Sequence, residues 1–270
     1  MVDRALEELL PPDSAVPQGV HAAMRYALFS GGKRLRPVFL LSTAGLFGRA
    51  PEDFLEAACA VELVHTASLI LDDLPCMDDA GERRGQASTH RRFDESTALL
   101  AAMAMLSEAH NRVCVNAVRL GLPGNAPAAV ALLNEAAGTS GLVRGQYLDL
   151  LHTDGQAPTE TLLDIHRHKA GSLFEASLAL PAVLLGEDPK IIAALRTFAA
   201  DVGLAFQITD DLIDAGHAGE DEGKASFAVM GGARGRVETL IDEAVGALGH
   251  FGGAADHLRQ LAEYVRNRKV

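Results

Sequence analysis

The chain has 270 residues, of which 48% are hydrophobic and 5% aromatic, and it contains no tryptophan. This composition favours helices and leaves little material for an aromatic-rich sheet. The formal net charge of −12 excludes a general nucleic-acid binder, because such a protein needs a surplus of Lys and Arg to displace counterions from phosphates.

Apolar residues recur at helical spacing along most of the chain. A short amphipathic helix ends at Pro11-Pro12, and a second helix ends at Ser30-Gly31-Gly32. No long linker or low-complexity segment interrupts the rest of the chain. The sequence therefore predicts an all-α fold, a single-domain antiparallel bundle of eight or more helices. The remaining predicted helices, separated by short Gly and Pro clusters, cover residues 37–47, 52–73, 94–118, 127–151, 159–184, 188–214 and 236–267.

The cysteines and the N-terminal sequence indicate a cellular location. Cys59, Cys76 and Cys114 form no CxxC pair, which is typical of unpaired thiols in a reducing compartment. No uninterrupted run of about 18 apolar residues occurs, and the first residues carry acids where a signal peptide would carry basic and apolar residues. We therefore expect a cytoplasmic protein without stable membrane insertion.

The first cluster of acids places four carboxylates within eight residues, directly after an apolar helix. It reads Asp72-Asp73-Leu-Pro-Cys-Met-Asp78-Asp79. On an ideal helix Asp72 aligns with Asp79, but Pro75 must distort the backbone, so Asp78 is the alternative partner. Oxygen-only clusters suit Mg²⁺, which accepts one or two carboxylates and completes its shell with water and substrate phosphates.

The second cluster reads Asp210-Asp211-Leu-Ile-Asp214 and ends another predicted helix. Asp210 and Asp214 lie one helical turn apart on the same face and can present carboxylates to a shared cation. Aspartates near a helix C-terminus oppose the macrodipole, so the arrangement favours a bound cation. The alternative interpretation is a solvated acidic helix end.

Basic residues next to glycines accompany both acidic clusters. Arg side chains bind diphosphate oxygens through two N–H groups, Lys supplies a point charge, and nearby glycines let the backbone approach. Each motif alone is typical of a turn with a solvated charge, but the combination with two acidic clusters favours a diphosphate site. The motifs contain Lys33, Arg34 and Arg36 in GGKRLRP, Arg83 and Arg84 before Gly85, Lys169 in HKAG, and Lys224 in EGK.

Taken in order, these motifs resemble the trans-prenyl diphosphate synthase family of polyprenyl synthetases. GGKRLRP, HTASLILDDLPCMDD, RRGQASTH, GLVRGQYLDL, HKAGSLF and FQITDDLID follow one another over most of the chain. The wording ELVHTASLILDDLPCMDDA is most similar to that of bacterial geranylgeranyl diphosphate synthases. The resemblance implies the isoprenoid synthase fold, a helical bundle around a central active-site cavity, with residues 1–270 forming one domain, and a homodimer.

The resemblance also implies a metal-bound allylic substrate. Asp72, Asp78 and Asp210 would bridge about three Mg²⁺ ions to the allylic diphosphate, supported by Asp73, Asp79, Asp211 and Asp214. The same diphosphate would be held by Arg83, Lys169, Gln207 and Lys224.

A second pocket, for isopentenyl diphosphate, is implied in the same way. Its residues would be Lys33, Arg36, His65 and Arg84; outside this motif, His65 would be interpreted as a core histidine. The implied reaction is the head-to-tail, trans condensation of isopentenyl diphosphate with an allylic diphosphate of 5 to 15 carbons. The released diphosphate is the expected base.

Two small residues predict the product length. Ala67 and Ser68 precede Asp72 by five and four residues, where family members that stop at 15 carbons often carry an aromatic residue. We therefore expect geranylgeranyl diphosphate, with farnesyl diphosphate as the alternative. In the other interpretation these are merely packing residues, and Met103 or Met105 sets the floor of the channel.

Some positions depart from the family pattern. Ala170 stands where a threonine is usual, the usual Gly-Asp pair lacks its aspartate, and the stretch after Asp214 is several residues short, which leaves the alignment of Lys224 open. Two other classes remain as alternatives. A non-catalytic prenyltransferase-like regulatory subunit typically loses one acidic cluster, and a class I terpene cyclase needs only one diphosphate site.

Overall fold

The computed structural model describes residues 1–152, 157–217 and 232–268, with the backbone alone for 214–217. Apart from one two-stranded antiparallel hairpin, β1 (Glu82–Arg83) and β2 (Gln86–Ala87), the regular structure of these ranges is helical. The all-α prediction is confirmed. The helices are α1 (Val2–Leu9), α2 (Gln18–Leu28), α3 (Leu35–Leu46), α4 (Leu55–Asp72), α5 (Thr89–Arg92), α6 (Glu95–Arg119), α7 (Ala126–Ala137), α8 (Leu142–Leu150), α9 (Thr159–His166), α10 (Ser172–Leu185), α11 (Pro189–His217), α12 (Ala233–Ala247) and α13 (Asp256–Arg266).

Helix α4 lies at the centre of the first half of the bundle. It packs most extensively against α6, whose contact face consists largely of small residues such as Ala98, Ala101 and Ala102. Small side chains let two helices approach closely, and the fully buried Met105 fills the space between them. This packing fixes the C-terminal end of α4, where the first acidic cluster begins.

Two segments are long and apolar enough, by length and composition alone, to cross a membrane. They are Pro51–Asp72, which includes α4, and Pro189–Ile213 in α11. In the first, 72% of the apolar window is buried inside the bundle, and in the second 44%. Because a central helix contacts protein on most sides, it is apolar around its circumference for the same reason as a membrane helix.

The second half of the bundle has its own aromatic core. Phe39 of α3 and Phe174 of α10 meet edge to face with ring centroids 5.6 Å apart, and Phe206 of α11 lies 5.5 Å from Phe174. Phe198 on the same helix is fully buried in this core. These contacts hold α11, which carries the second acidic cluster, against α10, which in turn packs against α3.

Two long predicted helices are each divided by glycines. The prediction of one helix over 127–151 was wrong, because α7 ends at Ala137 and α8 begins at Leu142. At Gly141 between them, a Cβ atom would lie 2.2 Å from the carbonyl oxygen of Ala136. The prediction over 236–267 was also wrong, since a 3₁₀ segment, Gly249–Ala255, separates α12 from α13.

Candidate active site

The first acidic cluster folds back on itself at the end of α4. Asp72 and Asp73 are buried, whereas Asp78 and Asp79 are exposed. The Asp78 N–H donates to the carbonyl oxygen of Asp72 at 2.9 Å, which closes the loop around Pro75. The carboxylate of Asp79 instead pairs with Arg91 at 3.0 Å. Of the two partners that the spacing left open for Asp72, the backbone therefore brings Asp78 close.

The electrostatic environment of Asp72 opposes an isolated negative charge. Burial raises the pKa of Asp72 to about 6; Lys169 and Arg83 lower it, while Asp78 and Asp73 raise it. A carboxylate that is buried beside two other acids gains more than an exposed one from a bound cation. The ionised form of Asp72 is therefore disfavoured without a cation, and a bound cation would stabilise it.

Two basic side chains reach the first cluster from other elements. Arg83 of β1 donates to Asp73, with its Nε 2.9 Å from Oδ1. The Nζ of Lys169 lies 3.9 Å from an oxygen of Asp72 and 2.6 Å from an oxygen of Asp149 on α8. Burial lowers the pKa of Lys169, but Asp72 and Asp149 outweigh it and raise the pKa overall. Lys169 is therefore positively charged at neutral pH.

A close approach of two backbones positions Lys169. Residues Arg167–Gly171 form a π-helical turn between α9 and α10, and α8 packs against this turn at Gly145. A Cβ atom on Gly145 would lie 2.1 Å from the backbone nitrogen of Lys169. A glycine is therefore required at 145 for α8 to lie beside the turn.

Helix α8 contributes polar side chains to which the motifs alone assigned no role. Gln146 is buried, and neither its amide oxygen nor its amide nitrogen has a hydrogen-bond partner among the described residues. Asp149 lies three residues further along the helix. Buried polar groups without partners are rare and expensive, so Gln146 is a candidate to meet a ligand. The signal was the motif GLVRGQYLDL, which contains both residues.

The second acidic cluster lies on α11. The carboxylate of Asp210 is 2.6 Å from Arg268, whose guanidinium also lies 4.3 Å from the ring centre of Phe206. Asp211 lies 3.4 Å from the amide nitrogen of Gln207 and 3.6 Å from Nε2 of His166. Arg268, 58 residues away in sequence, had not been assigned to the site. The side chain of Asp214 and all of Lys224 lie outside the described residues.

One short segment contacts both acidic clusters. His166, the last residue of α9, approaches Asp211, while Lys169, in the following π-helical turn, approaches Asp72. The two residues are three positions apart in the sequence. The structure thereby brings together two clusters that lie 138 residues apart in the chain. A single site that uses both clusters requires this proximity.

A separate basic pocket lies around the start of α3. The Nη1 of Arg36 is 3.4 Å from Nε2 of His65, and its guanidinium lies 4.8 Å from the ring centre of Phe174. Burial lowers the pKa of Arg36 to about 10, against the opposing effect of Glu62 and Asp210. Burial, followed by the charge of Arg36, lowers the pKa of His65 well below its usual value. A neutral imidazole can accept a hydrogen bond from Arg36.

The hairpin brings a further arginine to this pocket. Arg84 occupies the tight turn between β1 and β2 with a φ of 55° and donates to the carbonyl oxygen of Gly31. At Gly32, a Cβ atom would lie 2.9 Å from the Arg84 guanidinium. Lys33 is exposed in the same loop. The structure thus joins the GGKRLRP and RRG motifs, as a shared anion pocket requires.

Arg34, also in this loop, has a different environment. It adopts a φ of 50° at the start of α3 and forms ion pairs with Asp3 of α1 and with the buried Glu62 of α4. Its third contact is the carbonyl oxygen of Leu28. Arg34 therefore anchors the loop, while Arg36 extends into the pocket.

The residues predicted to set the product length lie where α4 faces the core. Ala67 is fully buried, and Ser68 is partly buried with its hydroxyl bonded to the carbonyl oxygen of His65. Met105 is fully buried in the same hydrophobic core as Ala67, whereas Met103 is 64% exposed. Of the two methionines, only Met105 lies in the interior of the bundle.

The donor set fits a hard divalent cation. Both clusters offer carboxylate oxygens, yet among the described residues no three acidic, His or Cys side chains lie close enough together to hold a metal ion by themselves. Such a site suits Mg²⁺, which needs few protein ligands when phosphate oxygens and water complete its octahedron. It does not suit zinc, which takes three or four protein ligands.

Comparison with known proteins gives close relatives. The chain is 39% identical over 263 residues to a geranylgeranyl diphosphate synthase of Pantoea ananas, a match that covers 95% of this chain and 86% of that protein. It is 41% identical over 226 residues to a chloroplastic geranylgeranyl pyrophosphate synthase of Capsicum annuum, covering 83% and 60%. The chain spans about 60% of the length of the plant relatives that it matches.

Solved structures and a family model agree with these relatives. An FPP/GFPP synthase from Zymomonas mobilis superposes with a TM-score of 0.89 at 36% identity, covering 98% of this chain and 94% of the other. A geranylgeranyl pyrophosphate synthetase from Geoglobus acetivorans gives 0.86 at 29% identity, covering 99% and 97%. The model of the family described as polyprenyl synthetase matches residues 17–228. These matches confirm the resemblance seen in the sequence motifs, and the chain belongs to the polyprenyl synthetase family.

Proposed function

We propose that this protein is a metal-dependent prenyltransferase that condenses isopentenyl diphosphate with an allylic diphosphate to give geranylgeranyl diphosphate. The observation that carries the proposal is the meeting of two acidic clusters at the segment from His166 to Lys169. A separate basic pocket lies around Arg36 and His65. Two anion sites of different chemistry are what a reaction between two diphosphates needs.

The allylic diphosphate is proposed to lie between the acidic clusters. Asp72, Asp78 and Asp210 would hold about three Mg²⁺ ions, which stabilise the negative charge that develops on the diphosphate as the allylic C–O bond breaks. Arg83 and Lys169 add positive charge on the same side. Gln207 and Asp211, bonded to one another on α11, would support the second cluster.

The basic pocket is proposed to hold isopentenyl diphosphate. The Nε of Arg36 is buried and has no hydrogen-bond partner among the described residues, so it can donate to a phosphate oxygen. Arg84, Lys33 and neutral His65 would complete the pocket. Fixing this substrate beside the allylic carbon converts a bimolecular encounter into a positioned one. The departing diphosphate would then accept the proton released after the new C–C bond forms.

Incubation of the purified protein with Mg²⁺, isopentenyl diphosphate and, separately, allylic diphosphates of 5, 10 and 15 carbons tests the proposal. Products identified by mass should reach 20 carbons. A product of 15 carbons would retain the reaction and contradict the proposed length. No product from any substrate would contradict the proposed function and favour the regulatory subunit; a cyclised hydrocarbon from an allylic substrate alone would favour the terpene cyclase.

The proposed chain length depends on small residues near the end of α4. Ala67 is fully buried beside the core that contains Met105, so replacing it with phenylalanine should obstruct growth of the chain in this direction. The variant Ala67→Phe should shift the main product from 20 to 15 carbons. Replacement of Val118, which is 64% exposed on α6 and has no assigned role, by phenylalanine serves as a control. An unchanged product from Ala67→Phe would refute the assignment.

A homodimer in the cytoplasm is proposed as the working form. Leu99, Leu100 and Met103 expose an apolar patch on α6, with 42%, 52% and 64% of their surface accessible, and a second copy would cover it. Sedimentation of the wild type and of Met103→Glu tests this, since a dimer through α6 should weaken in the variant.

All three cysteines are unpaired, as in a reducing compartment. Fluorescence microscopy of the tagged full chain would test the location.

A further inference from the structure

Among the described residues, two acidic side chains lie within 4 Å of the Lys169 ammonium, and the nearer one is outside both acidic motifs. Its Nζ lies 2.6 Å from Oδ2 of Asp149 and 3.9 Å from Oδ2 of Asp72. The contact with Asp149 is a hydrogen-bonded ion pair, whereas the distance to Asp72 is at the outer limit of one. The ammonium group is thus held primarily by α8.

This arrangement bears on metal binding, because Lys169 and a metal ion would use the same carboxylate. A lysine released from Asp149 has several rotatable bonds and would find Asp72 as its nearest remaining acidic neighbour. A close Lys169–Asp72 pair would occupy a carboxylate oxygen that a metal ligand must offer. It would also place a positive charge beside the cation, which opposes metal binding by direct repulsion.

The backbone geometry explains why Lys169 lies closer to Asp149 than to Asp72. Gly145 lets α8 approach the π-helical turn so closely that a Cβ atom would overlap with Lys169. Asp149 lies one helical turn beyond Gly145 and so reaches the lysine side chain from the α8 side. Its side chain is 43% exposed while that of Asp72 is 12% exposed. The nearer partner is therefore the more solvated acid, and the buried acid remains less engaged.

We propose that Asp149 is a positioning residue that holds the Lys169 ammonium away from Asp72, so that Asp72 can bind a metal ion while Lys169 faces the diphosphate. The inference rests on the proposed function and adds a residue to it. Asp149 acts through Lys169 and needs no contact with metal or substrate. Its removal should therefore weaken binding of the metal and the diphosphate together.

The test measures binding, without turnover. Mn²⁺ replaces Mg²⁺ as a paramagnetic probe, and its binding to the full chain is followed by electron paramagnetic resonance in the presence of inorganic diphosphate. Asp149→Asn should weaken Mn²⁺ binding by about five- to tenfold, because one nearby charge is no longer neutralised. Asp149→Glu, which keeps the charge, should restore most of the affinity.

A double-mutant cycle identifies the route of the effect. In a Lys169→Met background, Asp149→Asn should change Mn²⁺ affinity by less than about twofold, because the residue through which Asp149 acts is absent. The same loss in both backgrounds would overturn the proposal and indicate that Asp149 contacts the metal directly. A wild-type affinity for Asp149→Asn would overturn it as well.

A matched acid elsewhere controls for changes in stability. Glu135 on α7 is 49% exposed and lies 2.7 Å from Arg196, so Glu135→Gln removes a similar ion pair far along the chain from the acidic motifs. It should leave Mn²⁺ affinity unchanged, and circular dichroism should show Asp149→Asn to be folded. Failure of the wild type to bind Mn²⁺ and diphosphate would contradict the proposed function itself, and this inference with it.

Discussion

The two acidic clusters differ in how they are held. The first lies at the end of α4, where Asp72 is buried and a proline loop returns Asp78 to it through a backbone hydrogen bond. The second lies within the continuous helix α11, where Asp210 is 31% exposed and pairs with Arg268 from beyond α13. A loop that folds back at the end of a buried helix thus holds the first cluster, whereas the second lies along one continuous helix.

Similar acidic motifs can therefore differ in their effect on the stability of the metal-free protein. A buried carboxylate whose pKa is raised destabilises the metal-free protein, while a partly exposed aspartate paired with an arginine does not. Each cluster also has a basic neighbour near its carboxylate oxygens, Lys169 at the first and Arg268 at the second. Among the described residues, the lysine has a second acidic partner in Asp149.

The largest expected effect is the loss of catalytic rate when an aspartate of either acidic cluster is replaced. Asp72→Asn and Asp210→Asn should each lower kcat by about 100- to 1,000-fold or more, because each removes charge stabilisation of the departing diphosphate. The measurement is the steady-state condensation rate at saturating Mg²⁺, with Glu135→Gln as the control. Full activity in one variant would restrict the metal site to the other cluster.

The second-largest expected effect is on the free energy of unfolding, and it should differ between the two clusters. The folded pKa of Asp72, about 6, lies above the usual 3.8, so the ionised carboxylate destabilises the metal-free fold. This penalty is absent below about pH 4, grows up to about pH 6 and is constant above it. Asp72→Asn should therefore be more stable than the wild type above pH 6, by about 2 to 3 kcal/mol for a shift of this size.

Thermal unfolding in EDTA between pH 4 and pH 8 would check this difference. The stability gain of Asp72→Asn should disappear towards pH 4, while Asp210→Asn should lose at most about 1 kcal/mol through its pair with Arg268. A destabilised Asp72→Asn at pH 8 would show that Lys169 and Arg83 more than compensate the buried charge. The contrast between the clusters would then be reversed.

The smallest expected effect concerns Arg268. Arg268→Gln removes a cation 2.6 Å from Asp210, so Mn²⁺ alone, without diphosphate, should bind about threefold more tightly to the second cluster. Asp210→Asn in the same background identifies the site, because it should abolish the gain. Weaker Mn²⁺ binding in Arg268→Gln would mean that the arginine organises the cluster instead of competing with the metal.

The sequence predicted the helical fold and most of the candidate site residues, but it did not predict which of these residues contact one another. Both acidic clusters, Lys169 and the pairing of GGKRLRP with RRG follow from residue types in recognisable motifs. Asp149, Gln146 and Arg268 did not, because their roles depend on the approach of distant elements. Spacing along the chain carries no such information. The choice of Asp78 over Asp79 likewise depends on how the loop around Pro75 closes.

The helix boundaries that were wrong have a local cause. The stretches 138–141 and 249–255 are short and lie between two apolar helical patterns, so the predicted helices ran across them. Glycine tolerates the turn that divides them, and the gain comes from packing on both sides of the break. The π-helical turn at 167–171 left no signal in the sequence, since its close approach to α8 at Gly145 belongs to the tertiary structure.

The exposed Cys76, between Asp72 and Asp78, offers an attachment point for an optical reporter on the loop of the first acidic cluster. Cys59 is buried, which raises the pKa of its thiol to about 12 and protects it from alkylation. Cys114 is exposed on α6, so a Cys114→Ser chain would have one reactive thiol, placed inside the first acidic cluster. A fluorophore attached there would test in real time whether this loop binds a metal ion, and the native sequence already supplies the thiol for labelling.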